Sequence, residues 1–428
     1  MFKGKLWSHG DFLRLWTGET VSQAGTQVTM LAFPSVAILV LHATPFEVGL
    51  LTTFEFLAFP VLGLVAGVTA DRVRRRPILV VSDLGRMLAL GSVPAAAYLH
   101  ALTIYQMYAV ALVVGVFTVF FDVSYQSYLP ALIDRGDLVE GNSKLEVTRS
   151  GAQVAGPGIS GLLIQAVGGA AAILIDAASY LVSAVAVLLI RKPEPKPVPS
   201  RAGAEKTGIL AELREGLDAV FGSPIIRRTV GCTATSNLGT NIVFAVEFIF
   251  YYRRLGLSPA VVGLILAISA VGGILGAALS ATLARRFGVG RTIIVSILVG
   301  ALGFFALPLS LLGPALPILI VGYFLSNFST PVYNITQVSL RQAITPDRVQ
   351  GRMNATVRTI VWGTIPLGAF LGGVLGSTIG VLPTILIGAA IATLAVVWVL
   401  GAPVRKLRVQ PEPVGPEPTE PEAAQGLA

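Results

Sequence analysis

The chain is poor in the residues that build metal and thiol sites. Its 428 residues include one cysteine, Cys232, and three histidines, His9, His42 and His100, which lie far apart. One cysteine cannot form a disulfide framework or a cysteine-based metal centre, and histidines at this spacing argue against a histidine-based one. The sequence also lacks the G-x-x-x-x-G-K-S/T loop that holds nucleotide phosphates. We therefore expect no metal and no cofactor, and we predict neither an enzyme nor an ATP-driven pump.

Charged residues are scarce as well. They make up 13% of the chain, against about 25% in an ordinary soluble domain. Hydrophobic residues make up 54%, and the mean hydropathy is +0.76. A chain with so little charge cannot cover a water-facing surface, so this composition indicates a polytopic membrane protein. The net charge of +8 does not predict a nucleic-acid partner, because the basic residues fall in short loops. The first residues lack a signal-peptide pattern, so the first span is expected to be an uncleaved anchor.

Twelve apolar runs are long enough to cross a bilayer, at roughly 20 residues per crossing. They lie at about 12–40, 46–70, 77–99, 104–129, 143–167, 170–190, 225–252, 259–284, 291–312, 315–339, 353–378 and 382–402. Each must be helical, because an apolar segment in lipid cannot leave its backbone N–H and C=O groups unpaired. The sequence therefore predicts an all-α membrane protein with twelve transmembrane helices.

The loops indicate the orientation. One side holds nearly all basic loop residues, and the other holds only Arg253 and Arg254. Basic loops stay in the cytoplasm, so both termini are expected there, in a multi-pass protein of the plasma (inner) membrane. The predicted organisation is a cytoplasmic N-terminus (1–11), a six-helix bundle (12–190), a cytoplasmic linker (191–224), a second six-helix bundle (225–402) and a disordered, Pro- and Glu-rich cytoplasmic tail (403–428). Within the linker, residues 208–221 have the spacing of an amphipathic helix.

A charged turn separates the second and third spans. Residues 67–77 read Gly-Val-Thr-Ala-Asp-Arg-Val-Arg-Arg-Arg-Pro, and four arginines in five positions cannot lie in hydrocarbon. The stretch resembles the G-x-x-x-D-R-x-G-R-R motif that the major facilitator superfamily of transporters carries at this place. The residues that match are Gly67, Asp71, Arg72, Arg75 and Arg76, whereas Arg74 stands where the family usually has glycine.

The resemblance implies a gate at this turn. In the family, the acid at the place of Asp71 binds the N-terminal end of the eleventh helix, near residues 354–358 here, where free N–H groups donate hydrogen bonds to a carboxylate. The alternative is that the arginines only keep the loop in the cytoplasm. An acid contributes nothing to that retention, so we interpret Asp71 as the gating residue, with Gly67, Arg72, Arg75 and Arg76 around it.

The resemblance also implies two parallel six-helix halves, and the sequence contains a matching repeat. Residues 22–26 (Ser-Gln-Ala-Gly-Thr) return as 236–240 (Ser-Asn-Leu-Gly-Thr). Five residues of the fifth span return 212 positions later in the eleventh. They are Asn142, Gly151, Gly156, Gly161 and Gly168, which match Asn354, Gly363, Gly368, Gly373 and Gly380.

The fifth span contains a Gly-Pro motif, formed by Gly151, Gly156, Pro157 and Gly161. Small residues let helices approach closely, and Pro157 removes a backbone hydrogen bond and bends its helix. The motif is similar to one in exporters of the superfamily, where it is associated with proton-coupled antiport. The alternative is that these residues serve close packing alone.

Acids within the spans are candidates for proton coupling, because a buried charge is costly. Glu55 lies roughly 13 Å into a hydrocarbon core about 30 Å thick and is the first candidate, with Glu19 and Asp122 next. Asp176 and Glu247 are expected nearer to helix ends. Asp83 and Arg86 are three residues apart and are expected to pair near the cytoplasmic end of the third span, as structural support.

The first, fourth, seventh and tenth spans line the cavity in this superfamily. Aromatic and amide side chains on them suit a largely apolar organic substrate, although packing or lipid contact is an alternative for each. The cavity candidates are Gln23, Phe121, Tyr125, Phe244, Asn327 and Asn334.

Within the superfamily the chain resembles the branch of enterobactin exporters and macrolide-efflux proteins, through residues 12–16, 21–25 and 128–132, Leu138, Asn142 and the Gly156-Pro157 pair. That branch implies alternating access with proton-driven export of a drug or siderophore. We therefore expect a small-molecule substrate, protons as the coupling ion, the lipid bilayer as surroundings and a monomer without nucleic acid. An importer of a polar metabolite and a non-transporting membrane sensor remain as alternatives.

Overall fold

The computed structural model describes residues 5–194 and 209–408, and within these ranges the chain is helical with no β-strand. The first half contains α1 (Gly10–Leu39), α2 (Pro45–Arg72), α3 (Arg75–Tyr98), α4 (Ile104–Leu132), α5 (Leu138–Val167) and α6 (Gly169–Leu188). After the linker helix α7 (Ile209–Gly222), the second half contains α8 (Pro224–Ile249), α9 (Pro259–Phe287), α10 (Val289–Leu302), α11 (Ala306–Leu309), α12 (Ala315–Ala343), α13 (Asp347–Thr378), α14 (Val381–Leu394) and the terminal turn α15 (Ala402–Arg405).

Each half supplies six spans. Helix α10 continues through a 3-10 turn, Gly303–Phe305, into α11, so these segments form one span, Val289–Leu309. In the described part of the chain, nine helices are long and apolar enough to cross a membrane. The other three long helices are α1, α5 and α8, which carry more polar side chains. The predicted fold with twelve transmembrane helices is confirmed.

The two halves use the same helix neighbours. In the first half α1 packs on α5 and α6, α2 packs on α4, and α3 packs on α4 and α6. In the second half α8 packs on α13 and α14, α9 packs on α12, and α10 packs on α12 and α14. These are the same pairs in the same order, as two parallel repeats require.

Two equivalent glycines form equivalent turns. Gly168 (φ +85°) joins α5 to α6, and Gly380 (φ +93°) joins α13 to α14. Positive φ is strained for a residue with a β-carbon, which explains why glycine stands at both places. These are the residues that the sequence repeat pairs, so the repeat reflects a shared backbone conformation.

The helix ends define two faces of the molecule. We call the face with the α2–α3 turn (residues 72–76) the basic face and the face with the α1–α2 turn (residues 40–44) the opposite face. Since the spans alternate in direction, α8 begins at the basic face, and the described chain also ends there. The predicted amphipathic helix is present as α7, which packs on α8 and α13 through the buried Val220. The rest of the linker (195–208) and the tail (409–428) lie outside the described residues.

Candidate functional site

A buried arginine stands at the centre of the first half. Arg86 lies halfway along the 24-residue helix α3, and its side chain is 5% exposed. Its guanidinium lies 4.2 Å from the ring centroids of both Phe121 on α4 and Tyr180 on α6, and it donates to Asp83 Oδ1 at 2.5 Å. Two aromatic faces and one carboxylate therefore hold the cation in place.

The predicted pairing of Asp83 with Arg86 is confirmed, but their expected place near the end of the third span is wrong. Helix α3 begins at Arg75, directly after the charged turn. Arg86 therefore lies about 16 Å along it, at a rise of about 1.5 Å per residue. This pair belongs to the interior of the bundle, where an uncompensated charge is costly.

Predicted residues of the first and fourth spans gather around this arginine. Glu19 accepts a hydrogen bond from Gln23 Nε2 at 2.8 Å and lies within electrostatic range of Arg86 and Asp122. The ring of Tyr125 stacks on Phe121 at 5.7 Å. We call Glu19, Gln23, Asp83, Arg86, Phe121, Asp122, Tyr125 and Tyr180 the first-half cluster.

Asp122 faces positive charge from both halves. Its carboxylate interacts electrostatically with Arg86, with Arg149 on α5 and with Arg358 on α13. The guanidinium of Arg358 also lies 4.8 Å from the ring centroid of Trp362. The electrostatic environment of Asp122 therefore depends on where the second half places Arg358.

Glu55 does not join the cluster. It is half-buried on α2, and its carboxylate forms no hydrogen bond or ion pair with a described residue. The backbone of α2 at Glu55 comes so close to α4 that only a glycine, Gly115, fits opposite it. Glu55 as a proton carrier therefore stays a prediction.

Among the residues that the structure describes, no hydrogen bond or ring contact joins the cavity candidates of the second half directly to one another. Phe244 packs edge-on against Phe304, with ring centroids 5.8 Å apart. Asn327 donates to the Tyr323 carbonyl of its own helix at 2.9 Å, and Asn334 is exposed. Within the described ranges, no hydrogen bond or ring contact links these three residues to the first-half cluster.

Asp176 and Glu247 are both buried. Asp176 accepts a hydrogen bond from Ser179 Oγ at 3.0 Å, and the site of Gly25 on α1 lies against the same two side chains. Glu247, 6% exposed, accepts a hydrogen bond from the Tyr323 hydroxyl. Neither acid is at a water-exposed helix end.

The α2–α3 turn is anchored within its own half. Asp71 and Arg72 are exposed, and neither side chain bonds to a described residue. The carboxylate of Glu194, 3% exposed, accepts hydrogen bonds from the backbone N–H groups of Arg75 (2.7 Å) and Arg76 (3.0 Å), which are free donors at the start of α3. The side chain of Arg76 donates to the carbonyl of Leu188 at the end of α6.

No pattern in the sequence indicates the role of Glu194, because its proximity to the arginine turn exists only in the folded chain. Asp11, in the first turn of α1, binds the chain that follows α6. Its carboxylate accepts hydrogen bonds from the backbone N–H groups of Arg191 and Lys192, both at 2.9 Å. The chain after α6 is thus fixed to the basic face of the first half.

The halves meet along two seams. In one, α5 packs on α9, where a β-carbon at Gly161 would lie 3.0 Å from the Cα of Gly263. In the other, α2 packs on α13, where a β-carbon at Gly49 would lie 2.6 Å from the Ala369 carbonyl oxygen and 2.7 Å from the Cα of Gly373. Glycines at these places allow the backbones to touch.

The predicted Gly-Pro motif contributes to this packing. Gly156 faces Gln27 on α1, whose Cγ would lie 2.5 Å from a β-carbon there, and the Pro157 carbonyl faces Gly263 across the α5–α9 seam. Gly151 has open space around it, and so has Gly67 in the gate motif. The association of the motif with antiport stays a prediction.

Three polar contacts close the opposite face. The hydroxyls of Ser35 on α1 and Tyr252, in a π-turn after α8, lie 2.7 Å apart. Arg253 donates to the Ala43 carbonyl at 2.7 Å, and Phe46 N–H donates to Ser377 Oγ at 2.9 Å. We call these contacts, with the two seams, the outer closure. The halves are thus joined at the opposite face, whereas at the basic face Asp71 forms no hydrogen bond or ion pair with any side chain that the structure describes.

Comparison with known proteins agrees with this architecture. The profile of the family described as transmembrane secretion effector matches residues 7–421. The chain is 25% identical to the multidrug efflux pump Tap of Mycolicibacterium fortuitum, over 88% of this chain and 92% of that protein. It is 22% identical to macrolide efflux protein A of Streptococcus pyogenes, over 92% of this chain and 97% of that protein.

Solved structures show the same fold at low identity. A mutant of the nucleoside transporter NupG superposes with a TM-score of 0.75 at 13% identity, over 91% of this chain and 99% of NupG. A bacterial homologue of the iron transporter ferroportin, in an inward-facing state, gives a TM-score of 0.73 at 17% identity, over 93% of this chain and 99% of that one. The chain belongs to the transmembrane secretion effector family of major facilitator superfamily transporters.

Proposed function

We propose that this transporter exports a small, largely apolar organic compound from the cytoplasm in exchange for protons, by alternating access. The basic face would be cytoplasmic, with both termini there, in a plasma membrane. The relatives named for multidrug and macrolide efflux support the direction and the substrate class.

The observation that carries the proposal is the composition of the first-half cluster. Three carboxylates, Glu19, Asp83 and Asp122, surround one guanidinium, Arg86. Asp83 is taken by the ion pair, Glu19 has only Arg86 as a cation within electrostatic range, and Asp122 also depends on Arg149 and Arg358, so negative charge is left inside the bundle when these cations move away. A proton or a cationic substrate group can neutralise it, and exchange of one for the other is the chemistry of antiport. The rings of Phe121 and Tyr125 would contact the apolar part of the substrate.

The conformation of the structure supports the alternating-access part of the proposal. With the outer closure formed, the cluster would receive substrate from the basic face. Rocking of the halves would then open the outer closure and bring Asp71 to the N-terminal end of α13. Arg358 would move with α13 relative to Asp122, which would couple the charge of that acid to the position of the second half.

Efflux from intact cells tests the proposal. The protein is expressed in a strain that lacks its own exporters, and loss of preloaded macrolides, lipophilic cations and siderophores is followed with and without a protonophore. Export that the protonophore abolishes is the expected result, and in Glu19→Gln or Asp122→Asn the remaining efflux should no longer respond to the protonophore. Uptake of a nutrient with no efflux would overturn the direction, and movement of no compound would favour the sensor.

A further inference from the structure

Six cationic side chains meet on the basic face of the second half, where α9 turns into α10. The turn is fixed to the end of the described chain, because Gly290 N–H donates to the Leu407 carbonyl at 2.9 Å. All six side chains are exposed. They are Arg285 and Arg286 at the end of α9, Arg291 in the first turn of α10, and Arg405, Lys406 and Arg408 after α14. We call them the basic cluster.

The basic cluster has no acidic counterpart in the part of the chain that the structure describes. None of the six forms an ion pair with a described carboxylate. Elsewhere on the same face, cations do have partners: Lys5 lies 2.9 Å from Asp137, and Lys144 lies 3.2 Å from Glu140. Retention of the loop in the cytoplasm would account for the charges. It would not account for the apolar cleft that lies beside them.

An apolar cleft of about 360 Å³ begins at the cluster and runs between α9, α10 and α12. Arg291 forms its end, and Phe287, Val295 and Leu325 on its walls are exposed, so it opens towards the surrounding lipid. Between Arg291 and Val299 it follows α10 for about 12 Å. The hydroxyl of Ser296 donates to a carbonyl of its own helix at 2.6 Å, so that wall presents hydrocarbon.

We propose that this surface binds an anionic phospholipid, with the headgroup phosphate on the basic cluster and one acyl chain in the cleft. Arginine matches a phosphate through paired N–H donors, and clustered cations next to a span attract anionic lipid. The cleft selects a lipid over a free phosphate, because only a lipid brings an apolar chain. The site does not involve the first-half cluster and does not depend on the direction of transport.

The test is lipid retention by the purified full-length protein, measured by native mass spectrometry with phosphatidylglycerol and phosphatidylcholine. We expect preferential retention of phosphatidylglycerol. Two charge losses in the basic cluster, Arg286→Ala with Arg291→Ala, should weaken it on the order of tenfold or more. The matched control removes two exposed charges from the basic face of the first half, Arg135→Ala with Arg191→Ala, and should leave retention unchanged.

A second variant separates the acyl chain from the headgroup. Val295→Trp fills the cleft at an exposed position and keeps all six charges, so it should also weaken retention. Competition by glycerol phosphate as strong as that by phosphatidylglycerol would overturn the lipid assignment in favour of a free phosphate. Equal retention of both lipids, or equal loss in both double variants, would overturn it as well.

The acidic tail of the chain itself could bind the basic cluster in place of the phospholipid. Residues 409–428, outside the described ranges, contain Glu412, Glu417, Glu420 and Glu422 and no lysine or arginine. If phosphatidylglycerol is retained only after all four are changed to glutamine in the full-length chain, the tail is the natural occupant and the lipid proposal is wrong. Equal retention with and without these changes supports it.

Discussion

The guanidinium of Arg86 donates to Asp83 at 2.5 Å in the middle of α3, between the rings of Phe121 and Tyr180. This pair joins three helices of the first half, and Glu19 and Asp122 lie within its electrostatic range. One buried cation therefore serves both the packing of the bundle and the charge balance of the candidate transport site.

Loss of this cation should affect stability and transport together. Arg86→Gln leaves Asp83 buried without its partner, so the free energy of unfolding should fall by about 3–5 kcal/mol, and efflux should cease. Arg86→Lys keeps the charge but not the planar stacking on two rings. It should therefore retain part of the stability and part of the efflux. Denaturant unfolding in detergent and efflux in cells measure the two effects. An unchanged efflux rate in Arg86→Gln would remove Arg86 from the transport site.

The proton carrier should lie in the first-half cluster. Glu19→Gln and Asp122→Asn each remove one negative charge next to Arg86, so at least one of them should make the efflux rate independent of pH. Glu55→Gln, on α2 and without a charged partner, is the matched comparison and should keep the pH dependence. Efflux measured between pH 5.5 and 8 distinguishes them. Loss of the pH dependence in Glu55→Gln alone would move the proton site to α2.

The Asp71 turn should be needed for the cycle but not for the conformation described here. Asp71→Ala removes the acceptor for the N-terminal end of α13, so the state closed at the basic face should be lost and efflux with it. Arg74→Ala is the control, since Arg74 is exposed in the same turn and stands where the family usually has glycine. Equal efflux in both variants would show that the turn only retains the loop in the cytoplasm.

The outer closure should open when a side chain is forced into it. Gly49→Leu places atoms where the α13 backbone lies, whereas Gly63→Leu on the same helix meets open space. Ser35→Cys supplies the probe, because Ser35 is buried at the closure and the native Cys232 is buried elsewhere. Labelling of the introduced thiol by an impermeant maleimide should rise in Gly49→Leu and not in Gly63→Leu. Equal labelling would contradict the closure.

The cap at the start of α3 should be measurable as stability. Glu194→Ala leaves the N–H groups of Arg75 and Arg76 without their acceptor, so the free energy of unfolding should fall by about 0.5–2 kcal/mol. Glu146→Ala removes an exposed acid of α5 and should change it little. Denaturant unfolding of both variants is the measurement. Equal stabilities would mean that water replaces the cap without cost.

The fold was predictable because lipid leaves the chain few choices. The lengths of the apolar runs give the number of spans, and the arginine turn separates the second span from the third. The correspondence between Gly168 and Gly380 is visible in the sequence because the positive φ of both turns requires glycine. These signals are local in the sequence, and none depends on which helices touch.

The site was predictable only in part, since it depends on contacts between helices. Glu19 and Asp122 stand out as acids in apolar runs, and the structure brings them to the same cluster. For Arg86 the sequence predicts only a local pairing role, because the three-residue spacing to Asp83 accounts for the residue without reference to α4 or α6. Sequence periodicity does not show that Phe121 and Tyr180 enclose it, and Glu194 could be assigned only once the end of α6 lay beside α3.

The most direct measurement is substrate exchange against an imposed pH gradient in reconstituted vesicles, with a compound identified by the efflux screen. We expect that substrate moves against the direction of proton flow and that Glu19→Gln, Asp122→Asn or the pair of changes together abolishes this movement, while Gly63→Leu does not. Movement of the substrate in the same direction as the protons, or at a rate that ignores the gradient in the unmodified protein, would contradict it.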